Sequence, residues 1–279
     1  MKLTVLCDNN SIIDRYLLAE PGLSFYIEAD GKRILWDAGY SDVFIRNAER
    51  MGINLRELDE LVLSHGHMDH TWGLDPLMRL YIEAAIEGLR LRRPRLSAHP
   101  DCFVSRGADH LPEIGSQHGP TKLTEQFMVN LTPKPFNLTD SVYFLGTIPR
   151  RFEFETMEPM GEIRQSGLSI PDMIPDDTAL ACKTSRGLVV ITGCAHAGVC
   201  NTVEHAREVT GVDKVADIIG GTHLLDAPAE RLEQTGEYLA KLDLEAFHPC
   251  HCTDLKAKIA LSKYLPVVEV GVGLRLECA

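Results

Sequence analysis

The chain has 279 residues, 44% hydrophobic and 24% charged, with a formal net charge of −12 at pH 7. A chain of that length buries a core without needing disulfides or metals, and the composition excludes a disordered polymer. The acidic balance, relieved only by a short basic run from Arg90 to Arg95, excludes a nucleic-acid backbone as the main partner.

In chain order, Leu3 to Cys7 reads as a strand. Leu23 to Glu28 and Arg33 to Asp37 form a hairpin turned at Ala29-Asp30-Gly31. Val43 to Met51 has helical periodicity and stops at Gly52. Leu61 to Ser64 is a buried strand, Leu77 to Leu89 a helix and Leu96 to Ala98 a strand. Residues 101 to 175 are rich in Pro and loops, with one clear strand at Val142 to Leu145. They read as an insertion in a single domain spanning 1 to 279, expected to cover the functional site.

The second half predicts a hairpin from Leu180 to Thr184 and Leu188 to Thr192. It goes on with a helix at Thr202 to Val209, a strand at Val215 to Ile219 and a helix at Ala229 to Lys241. A strand at Leu244 to His248 and a helix at Leu255 to Tyr264 follow, and Val267 to Val270 and Leu274 to Leu276 close the chain as strands. Strands alternating with helices in both halves imply sheets covered by helices. No apolar run is long enough to span a bilayer, so no membrane partner is expected. The N-terminus turns polar at Asp8 and does not read as a signal peptide, which places the chain in the cytoplasm with its eight Cys reduced.

The chemistry concentrates in Ser64-His65-Gly66-His67-Met68-Asp69-His70, immediately after a buried strand. Burying so many ligand-type side chains in one loop is costly without a compensating cation, and imidazole and carboxylate suit Zn²⁺, Mn²⁺ or Fe. Gly66 lets the loop turn. Four other strands end the same way: Arg33 to Trp36 in Asp37-Ala38-Gly39, Leu188 to Thr192 in Gly193-Cys194-Ala195-His196, Val215 to Ile219 in Gly220-Gly221-Thr222-His223, and Leu244 to His248 in Pro249-Cys250-His251-Cys252. Strands lying side by side would gather these ends on one rim, where α/β sheets place ligands. Asn9, Asn10 and Arg150 are candidate substrate contacts. Cys194 and Cys250 read as small buried side chains, and Cys252 as either that or a soft metal ligand.

With these segments, the sequence resembles the metallo-β-lactamase-fold superfamily. Its HxHxDH signature matches His65-x-His67-x-Asp69-His70. Asp8-Asn9-Asn10, Asp176-Asp177-Thr178, Gly193-Cys194-Ala195-His196 and Gly220-Gly221-Thr222-His223 narrow the resemblance further. They are similar to the branch of the archaeal dihydropterin–ribofuranosylaminobenzene phosphate synthase and its bacterial metal-dependent hydrolase relatives.

The resemblance implies a four-layer αββα sandwich with metals at one edge. It implies His65, His67 and His196 on a first ion, Asp69, His70 and His251 on a second, and Asp37 orienting the ligand loop from behind. The bridging Asp of the superfamily falls where this chain has Gly221, so one or two ions, most simply Zn²⁺, are expected. His223 either replaces that Asp or faces the substrate; Asp177 and Asp217 are the other candidate carboxylates. The implied activity is metal-dependent hydrolysis of a small anionic substrate such as a phosphate ester, diphosphate or thioester, with Asp69 or His223 passing the proton. The alternatives are a transferase that condenses a pterin diphosphate with an aromatic amine, and a metal-dependent binding protein without turnover.

Overall fold

The computed structural model describes residues 1–108, 110–165 and 167–278. The chain opens with β1 (Lys2–Cys7), β2 (Ser24–Ala29) and β3 (Lys32–Trp36), then α1 (Val43–Arg50), β4 (Glu60–Val62), α2 (Met68–Thr71), α3 (Leu74–Ile86) and β5 (Arg95–Ala98). Shorter elements follow: β6 (Ser105–Gly107), α4 (Pro120–Leu123), β7 (Met128–Leu131), β8 (Phe136–Asn137), β9 (Val142–Phe144), β10 (Glu162–Gln165) and β11 (Leu168–Pro171). The last third runs β12 (Ala179–Thr184), β13 (Gly187–Thr192), α5 (Val199–Thr210), β14 (Val215–Gly221), α6 (Ala229–Ala240), β15 (Ala246–Cys250), α7 (Leu255–Leu261) and β16 (Arg275–Glu277).

Two mixed sheets carry the fold. One is seven-stranded in the order β16-β1-β2-β3-β4-β5-β7, the other six-stranded in the order β15-β14-β13-β12-β9-β8. In each, antiparallel hairpin strands give way to parallel ones: β3, β4, β5 and β7 in the first, β13, β14 and β15 in the second. The β2–β3 hairpin turns through Asp30 and Gly31 at φ 50° and 72°, the left-handed pair that a two-residue hairpin loop requires.

Alternation along the strands builds the layers. Ile34, Trp36 and Val62 point between the sheets, against Leu180, Val189 and Ile191. Their neighbours Leu35, Leu61 and Leu96 point outward, under Phe44 of α1 and Leu77 of α3. On the far side Leu188, Val190 and Ile218 meet Val203, Leu232 and Leu261 of α5, α6 and α7. The result is the αββα sandwich. No helix among the described residues is long and apolar enough to cross a membrane.

Residues 101–175 are more than one loop-rich insertion. Their middle supplies β7 to the edge of the first sheet and β8 and β9 to the edge of the second, while β6, β10 and β11 make a separate three-stranded sheet. Strands of two to four residues with mixed burial leave no readable period in the sequence. The expected strand at Val267 to Val270 is also corrected. It touches β15 through a single bridge at Phe247 and Val267, held by the Phe247 N–H on the Pro266 carbonyl and the Val268 N–H on the Phe247 carbonyl, and pairs no further.

Candidate metal centre

The parallel strands of both sheets end at one rim, and nearly every turn there is tight. Asp37 after β3, Ala195 after β13, His223 after β14 and His251 after β15 all sit at positive φ, 57°, 55°, 49° and 53°. Left-handed non-glycine residues are uncommon and collect at functional sites.

Asp37 is fully buried and organises the first loop. Its carboxylate accepts from the Ser64 N–H (2.7 Å), the Ser64 hydroxyl (2.7 Å) and Nδ1–H of His70 (2.7 Å). With Nδ1 so engaged, His70 presents Nε2 to the rim. Gly66 is required on steric grounds: a Cβ there would stand 2.1 Å from the Cys102 carbonyl oxygen. Its N–H donates to Asp176 (2.8 Å), which is ion-paired with the fully buried Arg106 of β6; Arg106 also holds Asp172 at 2.7 Å. The small sheet therefore braces the histidine loop, a role no sequence signal had assigned to Arg106.

Two donor sets adjoin. In the first, His65 Nε2 lies 3.0 Å from His67 Nδ1 and 3.2 Å from His196 Nε2. In the second, His70 Nε2 and His251 Nε2 are 3.2 Å apart, with Asp69 3.3 Å from His251 and 3.9 Å from His70. Asn9 Oδ1 lies 3.0 Å from His251 Nδ1, and Asp8 accepts the His251 N–H (2.8 Å). Asn9 thus orients His251 from behind, besides lining the cavity with Asn10.

Burial holds His65 and His196 well below the ordinary imidazole range and His67 down at about 3, so these rings are neutral and offer lone pairs. One N–H on His65 cannot satisfy both close neighbours, and His67 Nε2 and His196 Nδ1 are buried without partners. Such convergence of neutral nitrogens, a carboxylate and thiols suits a transition-metal ion. Burial opposes a charge on His251, but its hydrogen bond to Asp69 and the anionic groups around it raise the imidazole to about 9.

Three sets of donors lie within reach of a common ion: His65, Cys194 and His196; His70, Cys194 and His251; Cys194, His223 and Cys252. Cys194 belongs to all three, which the reading of it as a small buried side chain missed. The Gly-Cys-Ala-His spacing was the available signal. His223 packs against His196, the two rings tilted at 46° with centroids 4.3 Å apart.

Several sequence candidates lie elsewhere. Arg150 does not line the cavity; its guanidinium donates to the His196 carbonyl (3.1 Å) and to the Met173 and Ile174 carbonyls, fixing the His196 loop. Asp177 accepts the Ala197 N–H (2.7 Å) and Asp217 pairs with His248 (2.8 Å), so neither carboxylate joins the donor sets.

The donors open onto a cavity of about 1400 Å³. Ile114, Met157, Met160, Leu255 and Val268 supply apolar lining, and Arg231 and Lys258 bring positive charge beside the carboxylates Glu158, Asp254 and Glu269. Arg231 keeps its buried Nε unpartnered.

Two adjoining His-rich donor sets at the strand-end rim of an αββα sandwich define a metal-binding α/β protein. The chain belongs to the metallo-beta-lactamase superfamily, whose signature matches residues 18–161. It is 30% identical over 272 residues, 92% of this chain and 89% of the relative, to 7,8-dihydropterin-6-methyl-4-(beta-D-ribofuranosyl)-aminobenzene-5'-phosphate synthase of Methanocaldococcus jannaschii. An uncharacterized protein of the same archaeon is 29% identical over 271 residues, covering 97% of this chain and 98% of that protein. Among solved structures, Tm1679, a metal-dependent hydrolase of the beta-lactamase superfamily, superposes with a TM-score of 0.83 at 26% identity, covering 100% of this chain and 99% of that one.

Proposed function

We propose that the protein is a metal-dependent hydrolase of small molecules that join an anionic ester, a phosphate or diphosphate first, to a larger apolar body. The observation that carries this reading is the pair of donor sets, of which His67, Asp69, His196 and His251 line the cavity. His65, His67 and His196 would hold one ion, and Asp69, His70 and His251 a second, with Zn²⁺ the ion that imidazole and thiol favour. When bound, such ions supply Lewis acidity and make water acidic enough to react near neutral pH.

The chain's own groups do the rest. Asp37 and Asn9 fix the rings of His70 and His251 so that their Nε2 atoms face inward. Arg231 and Lys258, set among the lining carboxylates Glu158, Asp254 and Glu269, would meet the anionic end of the substrate where bound ions neutralise the site, and the methionine and aliphatic lining would pack against its body. His223 would give a proton to the leaving oxygen, a role supported by its position in the cavity lining beside His196. Asp69 is occupied by His251 and His70.

Transferase chemistry is the second reading, favoured by the likeness to the archaeal synthase. The cavity also exceeds the roughly 300–1,000 Å³ of ordinary ligand pockets and has room for two reactants. A single experiment separates them. Zinc-loaded and chelator-stripped protein are incubated with para-nitrophenyl phosphate esters, and with a dihydropterin diphosphate with and without an aromatic amine. Metal-dependent release of alcohol or diphosphate without amine supports the hydrolase. Product only with the amine moves the protein to the transferase reading, and full turnover after complete metal removal sinks both.

A further inference from the structure

The second parallel strand of the C-terminal sheet, β14, cannot deliver a carboxylate to the space between the two donor sets. A Cβ at Gly221 would stand 2.4 Å from the Gly193 carbonyl oxygen and 2.6 Å from Cys252 Sγ. Backbone and thiol fill the place, and no rotamer of an Asp avoids them. Charge makes the gap matter. Beyond imidazoles, which ligate a metal only as neutral rings, the two sets contain one carboxylate, Asp69, against four positive charges for two divalent ions.

A donor that becomes anionic on binding a metal comes from the neighbouring strand. Cys194, buried at the end of β13, has its Sγ 3.3 Å from His70 Nε2, in the second set. The same sulfur groups with His65 and His196 of the first. Cys252 is turned otherwise: its sulfur accepts the His223 N–H at 3.2 Å and faces the Cys194 carbonyl at 3.6 Å.

We propose that Cys194 is a metal ligand shared by both ions, its thiolate taking the bridging position that Gly221 leaves without a carboxylate. Coordination removes the thiol proton outright, which leaves one negative charge between the cations. Cys252 then acts from outside, filling the space beside Gly221 and holding the His223 backbone. A soft bridging donor selects Zn²⁺ or another thiophilic ion over Mn²⁺ or Mg²⁺.

This inference rests on the metal-dependent reading above, and its test keeps the two apart. Chelator-treated full-length protein is reloaded with Co²⁺ or Zn²⁺. The cobalt form is followed by absorption, the zinc form by X-ray absorption at the metal edge. The expected result is a thiolate-to-cobalt charge-transfer band in the near ultraviolet and a zinc–sulfur shell at about 2.3 Å. Both should persist in Cys252→Ser and vanish in Cys194→Ser, while Cys194→Asp retains two ions without the band. Failure of the native protein to take up either ion overturns the metal-dependent reading itself. Uptake with only nitrogen and oxygen neighbours, or a sulfur shell lost in Cys252→Ser instead, overturns the bridging thiolate alone. Where Cys194→Ser does not fold, the native protein and Cys252→Ser together decide the point, because a sulfur shell that survives in Cys252→Ser comes from Cys194.

Discussion

The two sheets bring donors to the rim in different ways. The N-terminal sheet delivers His65, His67, Asp69 and His70 from one loop after β4, and braces that loop with buried charges: Asp37 beneath it, Asp176 and Arg106 beside it. The C-terminal sheet delivers one imidazole per strand end: His196 after β13, His223 after β14 and His251 after β15. Each comes within a turn that contains a left-handed residue. The first arrangement is a local cassette of donors, braced by buried charges from elsewhere in the chain. The second is assembled by topology, from register between parallel strands, with each donor brought in by a different strand end.

The sharpest way to break this comparison is to remove one donor from each side. His65→Ala should abolish metal retention and turnover, because His65 sits between His67 and His196 and the set collapses without it. The loss should exceed the roughly 10–100-fold typical of an outer hydrogen-bond partner. His251→Ala should remove the second ion and leave the first. Metal analysis of purified variants checks both; equal loss of both ions in His251→Ala would mean that the two halves form one inseparable site.

The contrast also explains what could be read in advance. Four ligand-type residues in six positions announce themselves, and so do His196 and His251, because each closes an apolar strand beside small residues. Asp37 was legible for the same reason. Arg106 was not: it sits in a three-residue strand, and its partners Asp172 and Asp176 lie 66 and 70 residues away. Nothing local marks an Arg that is buried only because two aspartates meet it. Arg150 misled in the opposite direction, since backbone carbonyls rather than a substrate take its donors. Cys194 was overlooked because a buried Cys is ordinary, and only the meeting of both sheets shows it common to every donor set.

Arg106→Met tests the brace. It would leave Asp172 and Asp176 buried without their cation, at a cost of about 3–5 kcal/mol. Urea unfolding of metal-free protein should show the loss, and metal affinity should fall because Gly66 is no longer held. Unchanged stability would mean that the small sheet merely covers the site.

Smaller effects should follow from the groups behind the two inward-facing rings of the second set. Asp37→Asn removes charge from a carboxylate that takes three hydrogen bonds, whereas Asn9→Ala removes one partner of His251. Each should weaken metal binding within about 10–100-fold, Asp37→Asn near the upper end and Asn9→Ala near the lower. Competition with a chromophoric chelator measures both. The reverse order would show that the dispersed half depends more on its supports than the cassette does.

The finest test compares backbone demands in the two ligand loops. Gly66→Ala puts a methyl 2.1 Å from a main-chain oxygen that cannot swing aside, so the cassette must deform. That overpacking should cost at least about 1–3 kcal/mol. Ala195→Gly, in the His196 loop, acts on a residue already at φ 55°. Relief of the left-handed penalty, roughly 1–2 kcal/mol, is offset by the greater unfolded-state freedom of Gly, roughly 0.5–1 kcal/mol. The variant should therefore be equal to or slightly more stable than the parent, with metal content unchanged. A clear loss of stability in Ala195→Gly would mean that the Ala195 methyl contributes packing that outweighs its strain. The dispersed half would then be held as tightly by side-chain contacts as the cassette is by buried charge.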